Sequence, residues 1–323
     1  MAEEVVREMR ILITGGAGFI GCNFVRHILK QHPEAEIVVL DKLTYAGRLE
    51  NLEEVMSRIE FIKGDICDKE IVRKVMPGRD TVVNFAAESH VDRSITSPEA
   101  FVRTDVLGVF TLLEEARRND VKRFVQISTD EVYGSTETGA FYETSILDPS
   151  SPYSASKAGG ELLARSYVKT YGLDVMVTRS SNNYGPFQYP EKLIPVLVIK
   201  SLRNESLPIY GRGTNVRDWL HVEDNCRAID LVMAKGKRGD VINIGSGNEI
   251  ANIDIAKTIL KRLKKPEKLI KFVDDRPGHD FRYSLNWDRI KSMGWEPKVK
   301  FEEGLNSTID WYMSNEKWWD TIV

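Results

Sequence analysis

The segment Arg10-Ile-Leu-Ile-Thr-Gly-Gly-Ala-Gly-Phe-Ile-Gly21 joins a short apolar run to three glycines at positions 15, 18 and 21. This order is typical of a strand that turns tightly into a helix. Gly15 permits the turn, Gly18 lets a pyrophosphate approach the backbone, and Gly21 allows close helix packing. The start of the helix then offers free N–H groups and a partial positive charge to phosphates. The segment therefore predicts a dinucleotide-binding strand–turn–helix unit.

Short β-branched runs alternate with amphipathic stretches through the first half of the chain. The predicted strands are 10–14, 36–41, 59–63, 80–84, 123–128 and 174–179, and the amphipathic stretches include 19–31, 98–118 and 154–171. This alternation predicts an α/β fold, a Rossmann-type doubly wound parallel sheet with a smaller C-terminal substrate-binding domain. Because Pro and Gly interrupt the pattern after about residue 185, we expect residues 1–185, with 219–244 returning to them, to form the NAD-binding domain. Residues 186–218 and 245–323 are then expected to bind mainly the substrate.

Composition excludes several classes of protein. The net charge of -3 favours no nucleic-acid partner, and no apolar run approaches the roughly 18 residues of a membrane helix. The N-terminus lacks the apolar stretch of a signal peptide. Cys22, Cys67 and Cys226 match neither a disulfide framework nor a metal site, so we expect reduced thiols, no bound metal and a cytoplasmic protein.

Asp41 ends the second predicted strand, 20 residues after Gly21. A carboxylate in this place takes the ribose hydroxyls of NAD and repels the 2′-phosphate of NADP. The positive charge of the adjacent Lys42 reduces the preference for NAD over NADP only slightly. Asp65 and Ile66, after the third strand, are placed to meet the adenine.

Tyr153 and Lys157 fall at i and i+4 of a predicted helix, so they lie on the same face. The lysine charge is expected to lower the pKa of the tyrosine, which then removes a proton from a substrate hydroxyl while hydride leaves for the nicotinamide. Tyr-x-x-x-Lys alone is common by chance, but here it follows a dinucleotide motif.

The run Ser128-Thr-Asp-Glu131 places two carboxyl groups upstream of Tyr153. A plain dehydrogenase needs only the tyrosine and lysine. An enzyme that oxidises a carbinol and then expels water from its neighbour also needs an acid and a base. Because adjacent strand residues point to opposite faces, Asp130 and Glu131 must sit where the strand gives way to a loop. The structural alternative for Asp130 and Glu131 is a helix-capping or solvated acidic turn without a catalytic role.

At this point the sequence resembles the extended short-chain dehydrogenase/reductases and, more narrowly, the dTDP-glucose 4,6-dehydratases. The resemblance runs from Arg10 to about Pro297. Besides the segments above, it is carried by Leu43-Thr-Tyr-Ala-Gly47, Ala86-Ala-Glu-Ser-His-Val-Asp-Arg-Ser94, Ser181-Asn-Asn-Tyr-Gly-Pro186, Pro190-Glu-Lys-Leu-Ile-Pro195, Arg217-Asp-Trp-Leu220 and Arg276-Pro-Gly-His-Asp280. The chain departs from the pattern at Asn225, where His is expected, and in a longer N-terminal lead.

The resemblance implies NAD as cofactor and a nucleotide sugar, dTDP-glucose, as substrate. Tyr153 takes the proton of the sugar 4-hydroxyl, and NAD takes the C4 hydride. Glu131 removes the C5 proton, Asp130 protonates the departing C6 hydroxyl, and Thr129 hydrogen-bonds the C4 oxygen. NADH returns its hydride to C6 and C5 is reprotonated, which leaves a 4-keto-6-deoxy sugar.

The same comparison extends to the binding residues. Those expected at the cofactor are Gly15, Gly18, Phe19, Ile20, Gly21, Asp41, Lys42, Leu43, Thr44, Gly47, Asp65, Ile66, Ala86, Ala87, Ser89, Thr104, Tyr153, Lys157 and Asn183. Those expected at the substrate are Ser89, Asn182, Glu191, Lys192, Leu193, Pro208, Tyr210, Arg217, Asn252, Arg276 and His279. Arg217 and Arg276 are candidates for gripping the diphosphate. His90 and Asp92 are interpreted as structural.

Other functions remain open. A nucleotide-sugar 4-epimerase or a UDP-glucuronate decarboxylase shares the glycine and Tyr/Lys motifs, but neither needs the Asp130–Glu131 pair. A dehydratase using UDP- or CDP-glucose is a nearer alternative, because one methyl group on the base discriminates by only about 1–3 kcal/mol. A non-catalytic cofactor-binding protein would have no need of the complete set of Thr129, Asp130, Glu131, Tyr153 and Lys157. The resemblance also implies a homodimer that pairs through helices near 100–118 and 154–171.

Overall fold

A computed structural model describes residues 9–275 and 278–322. Within them the strands are β1 (Arg10–Thr14), β2 (Glu36–Asp41), β3 (Glu60–Lys63), β4 (Thr81–Asn84), β5 (Arg123–Thr129), β6 (Val175–Ser180), β7 (Asn182–Tyr184), β8 (Leu207–Tyr210), β9 (Val216–His221), β10 (Val241–Ile244), β11 (Glu249–Ala251) and β12 (Ile270–Val273).

The α-helices are α1 (Phe19–Gln31), α2 (Lys69–Val75), α3 (Val91–Thr96), α4 (Pro98–Val102), α5 (Val109–Arg118), α6 (Pro152–Tyr171), α7 (Leu193–Leu202), α8 (Val222–Lys235), α9 (Asn252–Arg262), α10 (Asp288–Ser292), α11 (Phe301–Ser314) and α12 (Glu316–Asp320). A π-helical segment, Arg103–Gly108, joins α4 to α5, and a 3₁₀ turn, Asp130–Tyr133, follows β5.

Seven strands form one parallel sheet in the order β10-β6-β5-β4-β1-β2-β3. The direction of winding reverses between β1 and β4, so the crevice outside the carboxyl ends of these strands is the expected ligand site of a doubly wound sheet. The predicted fold class is confirmed. The six strands predicted in the first half all form, with ends shifted by no more than one residue.

Alternating side chains of the strands are buried on opposite faces of the sheet. Ile11 and Ile13 pack on one side with α1 and α8, while Leu12 packs on the other with α5 and α6. Burial of both faces accounts for the nearly continuous apolar runs of these strands. The carboxyl edge of the sheet is left as the place where polar side chains gather.

The later elements pack around a separate apolar cluster that includes Leu197, Trp219, Ile259 and Tyr312. Two small sheets, β11-β9-β7 and β12-β8, frame it. The chain returns to the large sheet through β10, which pairs with β6. The exact division of the chain into two domains stays a prediction.

Among the described residues, no helix combines the length and apolarity that crossing a membrane requires.

Candidate active site

The glycine turn after β1 is shaped for close approach by a ligand. Gly15 has φ +69°, and a Cβ at that position would lie 2.5 Å from the backbone nitrogen of Ala86. A Cβ at Gly21 would lie 2.3 Å from the carbonyl oxygen of Gly15. Gly18 precedes α1 without any side-chain cap, so the first N–H groups of the helix face the turn. These features fit the pyrophosphate of a dinucleotide.

Asp41 lies at the carboxyl end of β2 and is buried. Its carboxylate accepts hydrogen bonds from the backbone N–H groups of Ala17 (2.9 Å) and Leu43 (2.8 Å). Burial raises the pKa of Asp41, and the two N–H donors oppose that effect. The side chain therefore holds the glycine turn and the following loop together at the place expected for a ribose. Lys42 pairs with Asp65 at 2.8 Å.

A cavity of about 300 Å³ opens along the carboxyl edge of the large sheet. Most residues predicted from the sequence line it. They are Gly15, Gly18, Phe19, Ile20, Gly21, Asp41, Lys42, Thr44, Gly47, Asp65, Ile66, Ala86, Ala87, Ser89, Thr104, Thr129, Asp130, Glu131, Tyr153, Lys157, Asn182, Asn183, Glu191 and Lys192. The lining residues include both the glycine turn and the carboxyl pair, which suits a cavity that holds a dinucleotide together with a second ligand.

Other lining residues were missed by the sequence reasoning. They include Glu88, Ser128, Ser180, Ser181, Gln188 and Tyr189. Ser180 ends β6, so the rule that ligands meet the carboxyl ends of parallel strands could have found it. Tyr189 sits between two prolines flanking a loop, and no local pattern marks its side chain as facing the cavity.

The 3₁₀ turn after β5 brings the two carboxyl groups to the cavity. Thr129 Oγ1 donates to Asp130 Oδ1 at 3.2 Å and accepts from the backbone N–H of Glu131 at 3.2 Å. Asp130 is only 2% exposed, and its Oδ2 has no hydrogen-bond partner within the described residues. Burial raises the pKa of Asp130 well above its usual range, and the negative charges of Glu131 and Asp218 raise it further. Both effects favour the protonated form of Asp130, which lies next to the more exposed side chain of Glu131.

Tyr153 and Lys157 lie in the first two turns of α6, which begins with a capping box between Ser151 and Ser154. Both side chains are buried. Lys157 Nζ donates to the carbonyl oxygen of Ile127 at 2.8 Å. Burial lowers the pKa of Lys157, while Asp105 and Glu161 oppose that change.

The lowering of the Tyr153 pKa by Lys157 stays a prediction, and other groups have the largest effects on the phenol. Burial raises the pKa of Tyr153, and Glu131 and Asp105 raise it further, whereas a hydrogen bond with Thr129 lowers it. The lysine is directed to a strand carbonyl, and the charges that act on the phenol are negative. A phenolate at this position therefore needs additional positive charge, such as that of an oxidised nicotinamide ring.

The remaining predicted binding residues that the structure describes do not line the cavity. These are Leu43 from the cofactor set, and Leu193, Pro208, Tyr210, Arg217, Asn252 and His279. The guanidinium of Arg217 is buried, lies over the ring of Tyr283 at 4.3 Å, and donates to the carbonyl oxygens of Asp280 and Phe281. Arg276 lies outside the described residues.

Two of these residues nevertheless lie close together. His279 pairs with Asp275 at 2.5 Å, and its ring meets the edge of Tyr210 with centroids 6.0 Å apart. The hydroxyl of Tyr210 donates to Asp92 at 3.2 Å. His90 accepts a hydrogen bond from the backbone N–H of Arg93 at the start of α3, consistent with the structural interpretation of that residue.

In the described part of the chain, no group of three or more His, Cys, Asp or Glu side chains could hold a metal ion. A doubly wound sheet with a glycine turn, an acidic residue ending β2, and a buried Tyr-x-x-x-Lys pair at its carboxyl edge defines the short-chain dehydrogenase/reductase class of nucleotide-dependent enzymes.

Comparison with known proteins narrows this class. The family described as GDP-mannose 4,6 dehydratase matches residues 12–308. A dTDP-glucose 4,6-dehydratase from Streptomyces niveus is 50% identical over 321 residues, covering 97% of this chain and 96% of the relative. The low-salt glycan biosynthesis protein Agl12 of Haloferax volcanii is 49% identical, covering 96% of this chain and all of the relative.

A solved structure is similarly close. The dTDP-glucose 4,6-dehydratase of Streptomyces venezuelae, crystallised with NAD and dTDP bound, superimposes with a TM-score of 0.96 at 48% identity, covering 98% of this chain and 100% of that one. The chain belongs to the extended short-chain dehydrogenase/reductases and, within them, to the dTDP-glucose 4,6-dehydratase family.

Proposed function

We propose that this chain is a hydro-lyase that converts dTDP-glucose to dTDP-4-keto-6-deoxyglucose with NAD as a recycled cofactor. The observation that carries the proposal is the pairing of Asp130, a buried carboxyl group whose burial raises its pKa, with Glu131 in the cavity that Tyr153 also lines. An epimerase has no use for such a pair. The names and NAD-bound structures of the relatives support the same function at the level of the family.

The residues present fit NAD. The glycine turn would hold the pyrophosphate, Asp41 the adenosine ribose, and Asp65 with Ile66 the adenine. Lys157 and Asn183 line the nicotinamide end of the cavity. When bound, NAD supplies an acceptor for the C4 hydride and a donor of hydride to C6.

Proton removal at the sugar 4-hydroxyl falls to Tyr153. Thr129 lies close enough to hydrogen-bond the phenol and lower its pKa. The same hydroxyl is placed to donate to the C4 oxygen once a ketone forms. That ketone acidifies the neighbouring C5 proton, which prepares the elimination.

Loss of water is divided between the two carboxyl groups. Glu131 is the more exposed and takes the C5 proton as a base. Asp130 holds its proton because it is buried beside like charges, and it delivers that proton to the departing C6 hydroxyl. The environments of the two groups separate their protonation states, as acid–base catalysis requires.

The nucleotide end of the substrate is assigned to the second half of the chain. Lys192 and Asn182 line the cavity beside the carboxyl pair. Leu193, Pro208, Tyr210, Arg217, Asn252, Arg276 and His279 remain the proposed contacts to diphosphate and base. Asn252 supports this assignment, because its buried Oδ1 has no hydrogen-bond partner within the described residues.

We also propose that the enzyme is a homodimer. Val102 is 55% exposed and Leu162 is 52% exposed, and a shallow groove beside them is lined by Val106, Phe110 and Leu163. These residues belong to the two helical stretches expected to pair, and a second copy would cover them. A reducing, cytoplasmic location is proposed from the three free cysteines, two of which are buried.

The direct test is incubation with dTDP-, UDP- or CDP-glucose and mass detection of a product lighter by one water. We expect conversion of dTDP-glucose at the highest kcat/KM. Faster conversion of UDP- or CDP-glucose would move the assignment to that nucleotide. Conversion of none, or a product of unchanged mass with an inverted C4, would overturn the dehydratase assignment.

A further inference from the structure

Side chains of two loops and of helix α3 meet beside the cavity. The hydroxyl of Tyr45 donates to Glu191 Oε1 at 3.0 Å. The guanidinium of Arg93 lies over the Tyr45 ring, 3.5 Å from its centroid, and its Nε is 3.7 Å from Glu191 Oε2. The edge of Tyr45 also contacts Tyr189, with ring centroids 5.3 Å apart. One tyrosine thus joins the loop after β2 to the segment that leads into α7 and to α3.

These contacts join segments that line the cavity. Thr44, Ala46 and Gly47 line the cavity from the side of Tyr45, and Glu191 and Lys192 line it from the opposite side. Lys192 Nζ links the same segment to a third cavity-lining segment, because it donates to the carbonyl oxygen of Ser89, which follows β4, at 2.5 Å. A dinucleotide that leaves the cavity between these loops must pass these links.

The fold holds the ends of the Tyr45 loop by other means. The backbone N–H of Leu43 donates to Asp41 at 2.8 Å, and that of Arg48 donates to the carbonyl oxygen of Ala17 at 3.1 Å. The middle of the loop is tied by the side chain of Tyr45. The Glu191 side chain is only 12% exposed, so its bond to Tyr45 is shielded from water.

We propose that Tyr45, Arg93 and Glu191 form a clasp that keeps NAD in the cavity between the two hydride transfers. The proposal rests on the proposed function, in which hydride leaves C4 and returns to C6 of the same sugar. If NADH left between these steps, the dehydrated 4-keto sugar would remain bound without a hydride donor for C6. Tyr45 and Arg93 act here as positioning residues that touch the cofactor loop and not the reacting atoms.

The test measures how fast the cofactor leaves. Wild-type protein, Tyr45→Phe, Arg93→Gln and the control Tyr142→Phe are saturated with NAD, freed of excess and diluted without substrate. NAD released into the filtrate is then followed with time. Tyr142 is an exposed tyrosine outside the cavity lining, so it matches the loss of a hydroxyl without touching the clasp.

We expect Tyr45→Phe and Arg93→Gln to release NAD about tenfold faster than wild type, equivalent to about 1.4 kcal/mol. Tyr142→Phe should release it at the wild-type rate. Glu191→Gln and the double variant Tyr45→Phe/Glu191→Gln complete the set. The double variant should release NAD little faster than the faster of its two single variants, since the two residues share one bond. The melting midpoint of the NAD-loaded form should fall further than that of the NAD-free form, because the clasp then also loses its hold on the cofactor.

Release within twofold of wild type for both clasp variants would overturn the proposal, as would equal lowering of both melting midpoints, which marks a purely structural role. Failure of the wild-type protein to bind NAD would remove the proposed function and the clasp with it. If only the clasp proposal is wrong, the wild-type protein will still bind NAD normally.

Discussion

The acid and the base of the proposed elimination differ by position and not by chemical type. Asp130 is enclosed and has an unsatisfied oxygen, whereas the adjacent Glu131 is partly exposed. Burial favours the protonated carboxyl of Asp130, and the nearby negative charges reinforce it. The two roles can therefore be tested by replacing one carboxyl group at a time.

Replacing Asp130 with Asn keeps the shape and removes the transferable proton. We expect C4 oxidation and C5 exchange with solvent to survive, because Tyr153, Lys157 and Glu131 are intact. Elimination should slow by about 10²-fold or more, so NADH should accumulate in a single turnover. Glu131→Gln is expected to do the opposite: it should block C5 exchange while some NADH still forms. Absorbance of NADH and deuterium at C5 are the two measurements, and a reversed pattern would exchange the two roles.

Tyr153→Phe removes the proposed base for the 4-hydroxyl and leaves the ring in place. Substrate binding should change little, while NADH formation in a single turnover should fall by about 10²–10⁴-fold. Stopped-flow absorbance with dTDP-glucose measures the effect. Turnover within about threefold of wild type would show that another group takes the proton.

At the scale of elements, the π-helical segment between α4 and α5 carries a buried carboxyl group against α6. Asp105 Oδ2 accepts a hydrogen bond from Ser156 at 2.7 Å, and its Oδ1 has no partner within the described residues. A Cβ at Gly160 would lie 2.1 Å from the carbonyl oxygen of Asp105, so glycine is what lets α6 pack so closely. Burial raises the pKa of Asp105 to about 7, although Lys157 opposes the shift.

This raised pKa fixes the sign of a pH effect on stability. The folded state retains the proton of Asp105 above pH 4, where the unfolded chain has lost it. The contribution of Asp105 is therefore most favourable below the unfolded pKa, declines as pH rises to about 7, and stays constant above that. Asp105→Asn removes the titration. We expect it to raise the free energy of unfolding at pH 8 by about 2 kcal/mol and to change it little at pH 4. Denaturant unfolding at the two pH values measures this, with Asp254→Asn, at the first turn of α9, as control; an equal effect at both would contradict the burial argument.

At the scale of the whole molecule, exposed apolar side chains on the α4–α5 stretch and on α6 form the surface proposed for pairing. A charge placed there should separate the subunits, because burying an unpaired carboxylate in an apolar interface is costly. We expect Leu162→Glu to halve the mass measured by sedimentation equilibrium. Ile146→Glu is the matched control, since Ile146 is 86% exposed on a loop. A wild-type monomer, or a Leu162→Glu dimer, would contradict the pairing.

Much of the molecule follows from local patterns that the sequence carries by itself. The strand–turn–helix at the glycine motif and the alternation of strands and helices in the first half of the chain were predicted, because periodicity and motif spacing depend on near neighbours. The family followed from the same motifs. Local spacing also predicted that Asp130 and Glu131 lie where β5 ends.

Other properties depend on packing between distant parts of the chain. The charge of Asp218 on β9 acts on Asp130, and Lys157 of α6 donates a hydrogen bond to the carbonyl oxygen of Ile127 on β5. The buried Arg217 contacts carbonyls of the segment after residue 279. Tyr45 meets Glu191 across 146 residues. Burial and long-range distances set these pKa values and contacts, and both quantities exist only once the sheet and its loops have closed around the cavity.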